Sequence, residues 1–339
     1  MPVIAFRPDA PGRREHAMKN VVFTSAIAPY IEGLLAQKRA LGYKYDVEEY
    51  HLGCFDRYWA ETNGNSDSFT MEALAGWMKQ RASEGKSTQA IRVYVVRQLA
   101  LFMNGMGKTS YIPTVRIRCP RPVVHVLTRA EITAFFRVVD SFVPRRQSPA
   151  VTRMAAGYKV IFRLYLTTGL RRGEAVSLRI RDIDWNNNSM TIYNAKGRKD
   201  RVVYMAGDFA ALLKSYIEQN LSEIDTEWVF PSADHSRHFS GGALSLRFRK
   251  FWNETGLTAD TSKPPTIHSL RHTYVVLRMN AWMAQGMDLN VMLPYLSRAL
   301  GHKSSAETFY YYHHVMEAFH MIKERDSLAD AVFPEVRIR

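Results

Sequence analysis

Between residues 21 and 107 apolar positions recur three and four apart in four blocks, the spacing of helices that each bury one face. "TSAIAPYIEGLLAQKRALGY" carries Ile27, Ile31, Leu34 and Leu35 on one stripe. "DVEEYHLGCFDRYWAETN" closes at Asn63-Gly64, a helix stop. "TMEALAGWMKQRASEGK" opens on a Thr70 cap and is expected to run to Gly85, and "STQAIRVYVVRQLALFMNGMG" opens on Ser87 or Thr88. Four such helices are enough for a small all-α domain.

The helical period then fails. "KTSYIPTVRIRCPRPVVHV", residues 108–126, holds Pro113, Pro120 and Pro122 among Arg116, Arg118 and Arg121, and reads as an extended linker. Those arginines either lie along phosphates or are simply solvated. Helical patterning returns at "LTRAEITAFF", where Thr128 and Glu131 form a capping box, and a long helix follows over residues 150–168. Thr168-Gly169 stops it, and a new helix starts near Arg171. "SMTIYNAKGRKDRVVYMA" has two β-branched runs around a Gly- and Lys-rich turn, the pattern of a β-hairpin. Beyond it the chain reads as mostly helical to residue 325, with a polar tail, "DSLADAVFPEVRIR". The expected organisation is a flexible basic tail over 1–20, a helical domain over 21–107, a linker over 108–126 and a second domain with its tail over 127–339. The fold class is mainly α with a small β-sheet.

A chain of 339 residues is too long for one small core, and its 46% hydrophobic and 23% charged residues are ordinary for a globular protein. The charge balance is not. Forty-six Lys and Arg against 32 Asp and Glu leave a net +14, which points to a polyanionic partner, above all nucleic acid, over a merely basic protein. Cys54 and Cys119 lie in separate segments and make neither a disulfide framework nor a zinc site, as in a reducing compartment. The N-terminus interrupts its apolar start with Arg, Asp and Pro, and no apolar run reaches the roughly eighteen residues that span a bilayer. A soluble cytoplasmic protein without a membrane partner is expected.

Four groups of residues could carry chemistry. Arg171 and Glu174 are three apart in "TTGLRRGEAVSL" and share a helix face. An arginine held by its own carboxylate presents a rigid, planar fork to phosphate oxygens, although a surface ion pair would look the same. His268 and Arg271 repeat that spacing in "PTIHSLRHTY", which alone is a weak signal. Lys196 sits in the hairpin turn as a flexible cation or an ordinary turn lysine. His302 follows Leu300-Gly301 and precedes Tyr310, Tyr311 and Tyr312, which are either packing or a reagent.

The order of these groups is more specific than any one of them. Arg-x-x-Glu, hairpin Lys, His-x-x-Arg, Gly-His and a tyrosine nine residues later resembles the tyrosine recombinase (phage integrase) family. The resemblance covers residues 128–315 closely, through "TGLRRGEAVSL", "AKGRKDRVVYM", "HSLRHTY" and "LGHKSSAETFYYYHH". The N-terminal helices and "ALGYKY" are similar to the family's core-binding domain, more loosely. The implied architecture is a two-domain DNA clamp of a helical core-binding domain and a catalytic domain.

The resemblance also implies roles. Tyr311, nine residues after His302, would be the nucleophile. Arg171, Arg271, His268 and His302 would hold the scissile phosphate, Lys196 would protonate the departing oxygen, and Glu174 would orient Arg171. Arg116, Arg118 and Arg121 are candidate DNA contacts. No cofactor or metal is implied. The expected partners are double-stranded DNA and three further copies of the chain in a DNA-bound tetramer, with the C-terminal tail exchanged between protomers or packed within its own. The expected activity is site-specific recombination through a 3′-phosphotyrosyl link, in integration, excision or transposition of a mobile element. Type IB topoisomerase-like relaxation and a catalytically silent DNA-binding regulator are the alternatives. One departure stands out: 30 residues separate His272 from His302. That is about two helical turns more than the family's usual spacing, divided around Gly286, which is expected to lengthen two helices.

Overall fold

The computed structural model describes residues 21–119, 125–195, 199–257 and 264–302, with residues 307, 308 and 310. The chain divides into two compact units, Met1–Pro122 and Val123–Arg339.

In the first unit the four apolar blocks become α1 (Ala28–Ala40), α2 (Asp46–Asn63), α3 (Met71–Met78) and α4 (Lys86–Gly105). Ile27, Ile31, Leu34 and Leu35 are buried as the stripe predicts, against Leu52, Phe55 and Trp59 of α2 and Val95, Val96, Leu99 and Met103 of α4. Asp56, buried on α2, accepts the backbone N–H groups of Thr24 (2.8 Å) and Ser25 (3.1 Å), so the strand of chain entering α1 is tied to the core.

Two expectations fail around Gly85. The third helix stops at Met78, and the fourth begins at Lys86 with Gly85 as its N-cap and no side-chain cap. The cause lies in α4. Arg92 is buried, stacks on Trp77 at 4.8 Å, and donates to the Trp77 and Lys79 carbonyls. Gln89 donates to Met78 O at 2.9 Å. With the last carbonyls of α3 satisfied from outside, the helix has no need of another turn. Glu84 closes the arrangement by accepting from Arg92 at 2.9 and 2.7 Å.

The start of the segment expected as a linker is held to this unit. Ser110 accepts from Phe69 N at 3.1 Å, Tyr111 N donates to Phe69 O at 2.8 Å, and Arg97 donates to Pro113 O at 2.6 Å.

The second unit is built around α6 (Pro149–Thr168), which packs on α5 (Arg129–Ser141), α8 (Gly207–Asn220) and α10 (Ile267–Ala284). The Thr128–Glu131 capping box starts α5 as read from sequence. A short α7 (Arg172–Val176) leads to an antiparallel meander of β1 (Ile183–Asp184), β2 (Ser189–Ala195) and β3 (Lys199–Tyr204). The hairpin is present, and β1 is a further strand, too short to carry an alternation of its own. Beyond the hairpin the described residues are mostly helical as expected, apart from an irregular stretch over 221–240 with isolated bridges Arg179–Trp228 and Pro231–His238. Then come α9 (Gly241–Glu254), α10 and α11 (Leu289–Leu300). The lengthened stretch between His272 and His302 is two helices meeting at Gly286, whose φ of 74° makes the turn. Val275, Met279, Leu293, Leu296 and Leu300 pack between them. No helix among the described residues is long and apolar enough to cross a membrane.

Candidate active site

The site gathers at the C-terminal end of α11. There Gly301 takes φ 64° and ends the helix, leaving its last carbonyls without helical partners. Three arginines from three other elements take them in sequence. Arg201, on β3, donates through Nε to Ala299 O at 2.7 Å. Arg271, on α10, donates through Nη2 to Leu300 O at 2.9 Å. Arg171, at the start of α7, donates through Nη2 to Gly301 O at 2.6 Å. Cations at the negative end of a helix are favourably placed, and here each is also directionally bonded.

Arg171 is not on the face of α7. It is the N-cap, so the Arg171–Glu174 spacing is that of a cap and the third helical residue. Glu174 accepts from Arg171 N at 2.8 Å and from Arg171 Nη1 at 3.0 Å. The same carboxylate receives both Nη groups of Arg201, at 3.0 and 2.7 Å. Burial alone would raise the Glu174 pKa, but hydrogen bonds and charge from Arg201, then Arg171, hold it below the usual carboxylate range.

Arg271 is fully buried and reaches two further groups: the carbonyl of Gly169, a left-handed C-cap at φ 65°, and His302 Nε2 at 2.9 Å. Burial, and then the guanidinium groups of Arg271, Arg171 and Arg201, push the His302 pKa down to about 3. Its other nitrogen, Nδ1, lies 2.7 Å from Thr308 Oγ1.

His268 and His272 meet edge to face one turn apart, with ring centroids 4.5 Å apart. His272 is buried, and desolvation followed by His268 and Arg271 lowers its pKa to about 3. The His268 residue keeps substantial solvent access. Partial desolvation and then Arg271 and Arg171 lower its pKa too.

The structure therefore brings together Arg171, Glu174, His268, Arg271 and His302 of the residues singled out from sequence. Arg116 and Arg118 are exposed on the extended segment of the first unit. Lys196, Arg121 and Tyr311 lie outside the described residues. Arg201 and Thr308 were not singled out. A signal for Arg201 was present: in "KDRVVYM" it falls in phase with Val203 and Met205, the buried positions, while Asp200, Val202 and Tyr204 face out. An arginine on the inward face of a strand must find a partner.

Paired guanidinium groups and imidazoles crowded around one helix end are donors that could hold an oxyanion. The chain belongs to the phage integrase family, whose model matches residues 126–318, and it is a tyrosine-type site-specific recombinase. It is 27% identical over 243 residues to the tyrosine recombinase XerC of Oceanobacillus iheyensis, covering 67% of this chain and 72% of that protein. The fold is similar to that of a Tn1549 transposon integrase in complex with transposon right end DNA. That match has a TM-score of 0.62 and 16% identity, and covers 87% of this chain and 99% of the other. It is similar also to a lambda integrase tetramer bound to a Holliday junction, at TM-score 0.59 and 16% identity, covering 82% and 78% of the two chains.

Proposed function

We propose that the chain cuts and rejoins double-stranded DNA through a covalent 3′-phosphotyrosyl intermediate on Tyr311, in the integration, excision or transposition of a mobile element. The observation that carries this reading is the convergence of Arg171, Arg271 and His302 on the end of α11.

A tyrosine hydroxyl, with a pKa of about 10, is a poor nucleophile at neutral pH and needs its target activated. Arg171 and Arg271 grip the non-bridging oxygens of the scissile phosphate, with His268 and His302 as further donors. Such preorganised donors are each worth about 2.7–4 kcal/mol where charge builds in the transition state. The Tyr311 oxygen bonds to phosphorus and gives up its proton to water as the bond to the 5′ oxygen breaks. Lys196 donates the proton that makes that oxygen a hydroxyl. Because the new ester retains a phosphodiester's reactivity, a 5′ hydroxyl from another duplex reverses the step and reseals the strand. Glu174, fixed by Arg201, keeps Arg171 in place.

Strand exchange between two duplexes needs four such sites, which supports a DNA-bound homotetramer, with the C-terminal tail exchanged between protomers. The net charge of +14 and the arginines at 116, 118 and 121 support a clamp held largely by phosphate contacts.

The test is a covalent adduct. The protein is incubated with duplex DNA carrying its native flanking sequence and quenched in denaturant, and adducts are mapped by peptide mass spectrometry. Tyr310→Phe, Tyr311→Phe and Tyr312→Phe run beside the parent. An adduct on Tyr311, lost only in Tyr311→Phe, is the expected result. An adduct on a neighbouring tyrosine would move the nucleophile. Binding to DNA without any adduct would sink the reading.

A further inference from the structure

Thr308 is three residues ahead of Tyr311 and wholly buried. Its hydroxyl lies 2.7 Å from His302 Nδ1 and 2.7 Å from Ser297 Oγ, the latter buried on α11. The direction of these bonds follows from the far side of the ring. Arg271 Nη2 is 2.9 Å from His302 Nε2, and a guanidinium can only donate, so Nε2 accepts. A neutral imidazole that accepts at Nε2 carries its proton on Nδ1. Nδ1–H therefore donates to Thr308 Oγ1, and Thr308 donates onward to Ser297 Oγ.

This is the wrong tautomer for the task proposed above. To donate to a phosphoryl oxygen from Nε2, a neutral His302 must carry its proton there and accept at Nδ1. A hydroxyl can serve both states, since it accepts in one and donates in the other. We infer that Thr308 is a positioning residue that fixes the ring plane of His302 and, together with Arg271, holds the DNA-free ring in its Nδ1–H form. It accepts from Nδ1 while Arg271 holds Nε2, and donates to Nδ1 when Nε2 presents its proton to the phosphate. In passing from one state to the other the ring takes a proton from water at Nε2 and gives its Nδ1 proton to water. Net charge is unchanged. The two hydroxyls rotate, so that Ser297 donates to Thr308 and Thr308 to the ring. The second half of this inference rests on the phosphate-binding role of His302; the first half concerns the DNA-free protein alone.

The test uses the full chain labelled with ¹⁵N at histidine, with His302 assigned by the signals missing in His302→Gln. Long-range ¹H–¹⁵N spectra of the DNA-free protein read the tautomer directly. The parent and Thr308→Ser are expected to show one Nδ1–H form. Thr308→Val, which keeps the shape and removes the hydroxyl, is expected to show mixed tautomers. Ser297→Ala removes only the onward acceptor and leaves Thr308 free to donate, so it should move the population towards Nε2–H. It also serves if the valine variant does not fold. An Nδ1–H form unchanged in both variants overturns the inference. On DNA, Thr308→Val should slow adduct formation about 10- to 100-fold, the scale on which losing the orienting partner of a metal-bound histidine acts, with affinity unchanged and the rate restored in Thr308→Ser. A parent that forms no adduct would defeat the proposed function, while the tautomer spectra would still decide the role of Thr308.

Discussion

Arg201 and Glu174 meet in a two-point ion pair, with both Nη groups on the two carboxylate oxygens at 3.0 and 2.7 Å and side-chain exposures of only 6% and 10%. The pair joins β3 to the start of α7, and Arg201 Nε joins both to the end of α11. Removing Arg201 leaves the little-exposed Glu174 carboxylate with Arg171 alone. Arg201→Met is therefore expected to cost the second unit several kcal/mol in urea denaturation, at most the roughly 3–5 kcal/mol of a buried pair broken outright. Arg201→Lys should recover part of that, because a lysine makes a single-point contact where the fork makes two. A loss below about 1 kcal/mol would mean that the pair is screened like one on the surface.

Acid should destabilise the second unit before its carboxylates titrate. His272 and His302 have folded pKa values of about 3, below the ordinary histidine value. The unfolded chain therefore binds protons that the folded one refuses. Stability is full above about pH 6.5 and falls as pH drops towards the folded values, by up to about 1.4 kcal/mol per pH unit for each histidine. Denaturation followed from pH 7 to pH 5 should show that slope, and His272→Gln should make it shallower. A flat profile over this window would count against neutral buried rings. Glu174 acts lower down: its depressed pKa adds stability above about pH 4.3 that is lost as pH falls through the folded value.

Gly301 is required twice over. Its φ of 64° disfavours any side chain, and a Cβ there would stand 3.0 Å from Arg171 Nη1 and 3.2 Å from Arg201 Nη1. Gly301→Ala is expected to cost about 1–2 kcal/mol through the backbone alone. Adduct formation should fall further than stability does, because both guanidinium groups must give way. Equal cleavage rates in the alanine variant and the parent would show that the arginines have room to move.

DNA affinity should fall steeply with salt. A clamp making 6–10 phosphate contacts loses about 10³–10⁵ in affinity between 50 and 200 mM salt. Fluorescence anisotropy on a labelled duplex across that range reads the slope directly. A flat response would rule out phosphate contacts as the main source of affinity.

The sequence by itself determined most of the elements and named most of the residues gathered at the end of α11. Helix periods, the caps at Thr70 and Thr128, the stop at Gly64 and the hairpin are local signals, carried within a few residues. Arg171, Glu174, His268, Arg271 and His302 were legible because their order along the chain resembles that of the tyrosine recombinase family. What only the tertiary structure decided depends on groups distant in sequence. The end of α3 is set by Arg92, which donates to a carbonyl 15 residues earlier. The cap on α11 is made by Arg271, Arg201 and Arg171, from 29, 98 and 130 residues away. No local pattern encodes such partners, because a buried guanidinium is drawn to whichever carbonyls and carboxylates the fold leaves unsatisfied. Arg201 carries a local signal in its phase with Val203 and Met205, but its partner Glu174, like the partner His302 of Thr308, is fixed only where the fold brings them together at the end of α11.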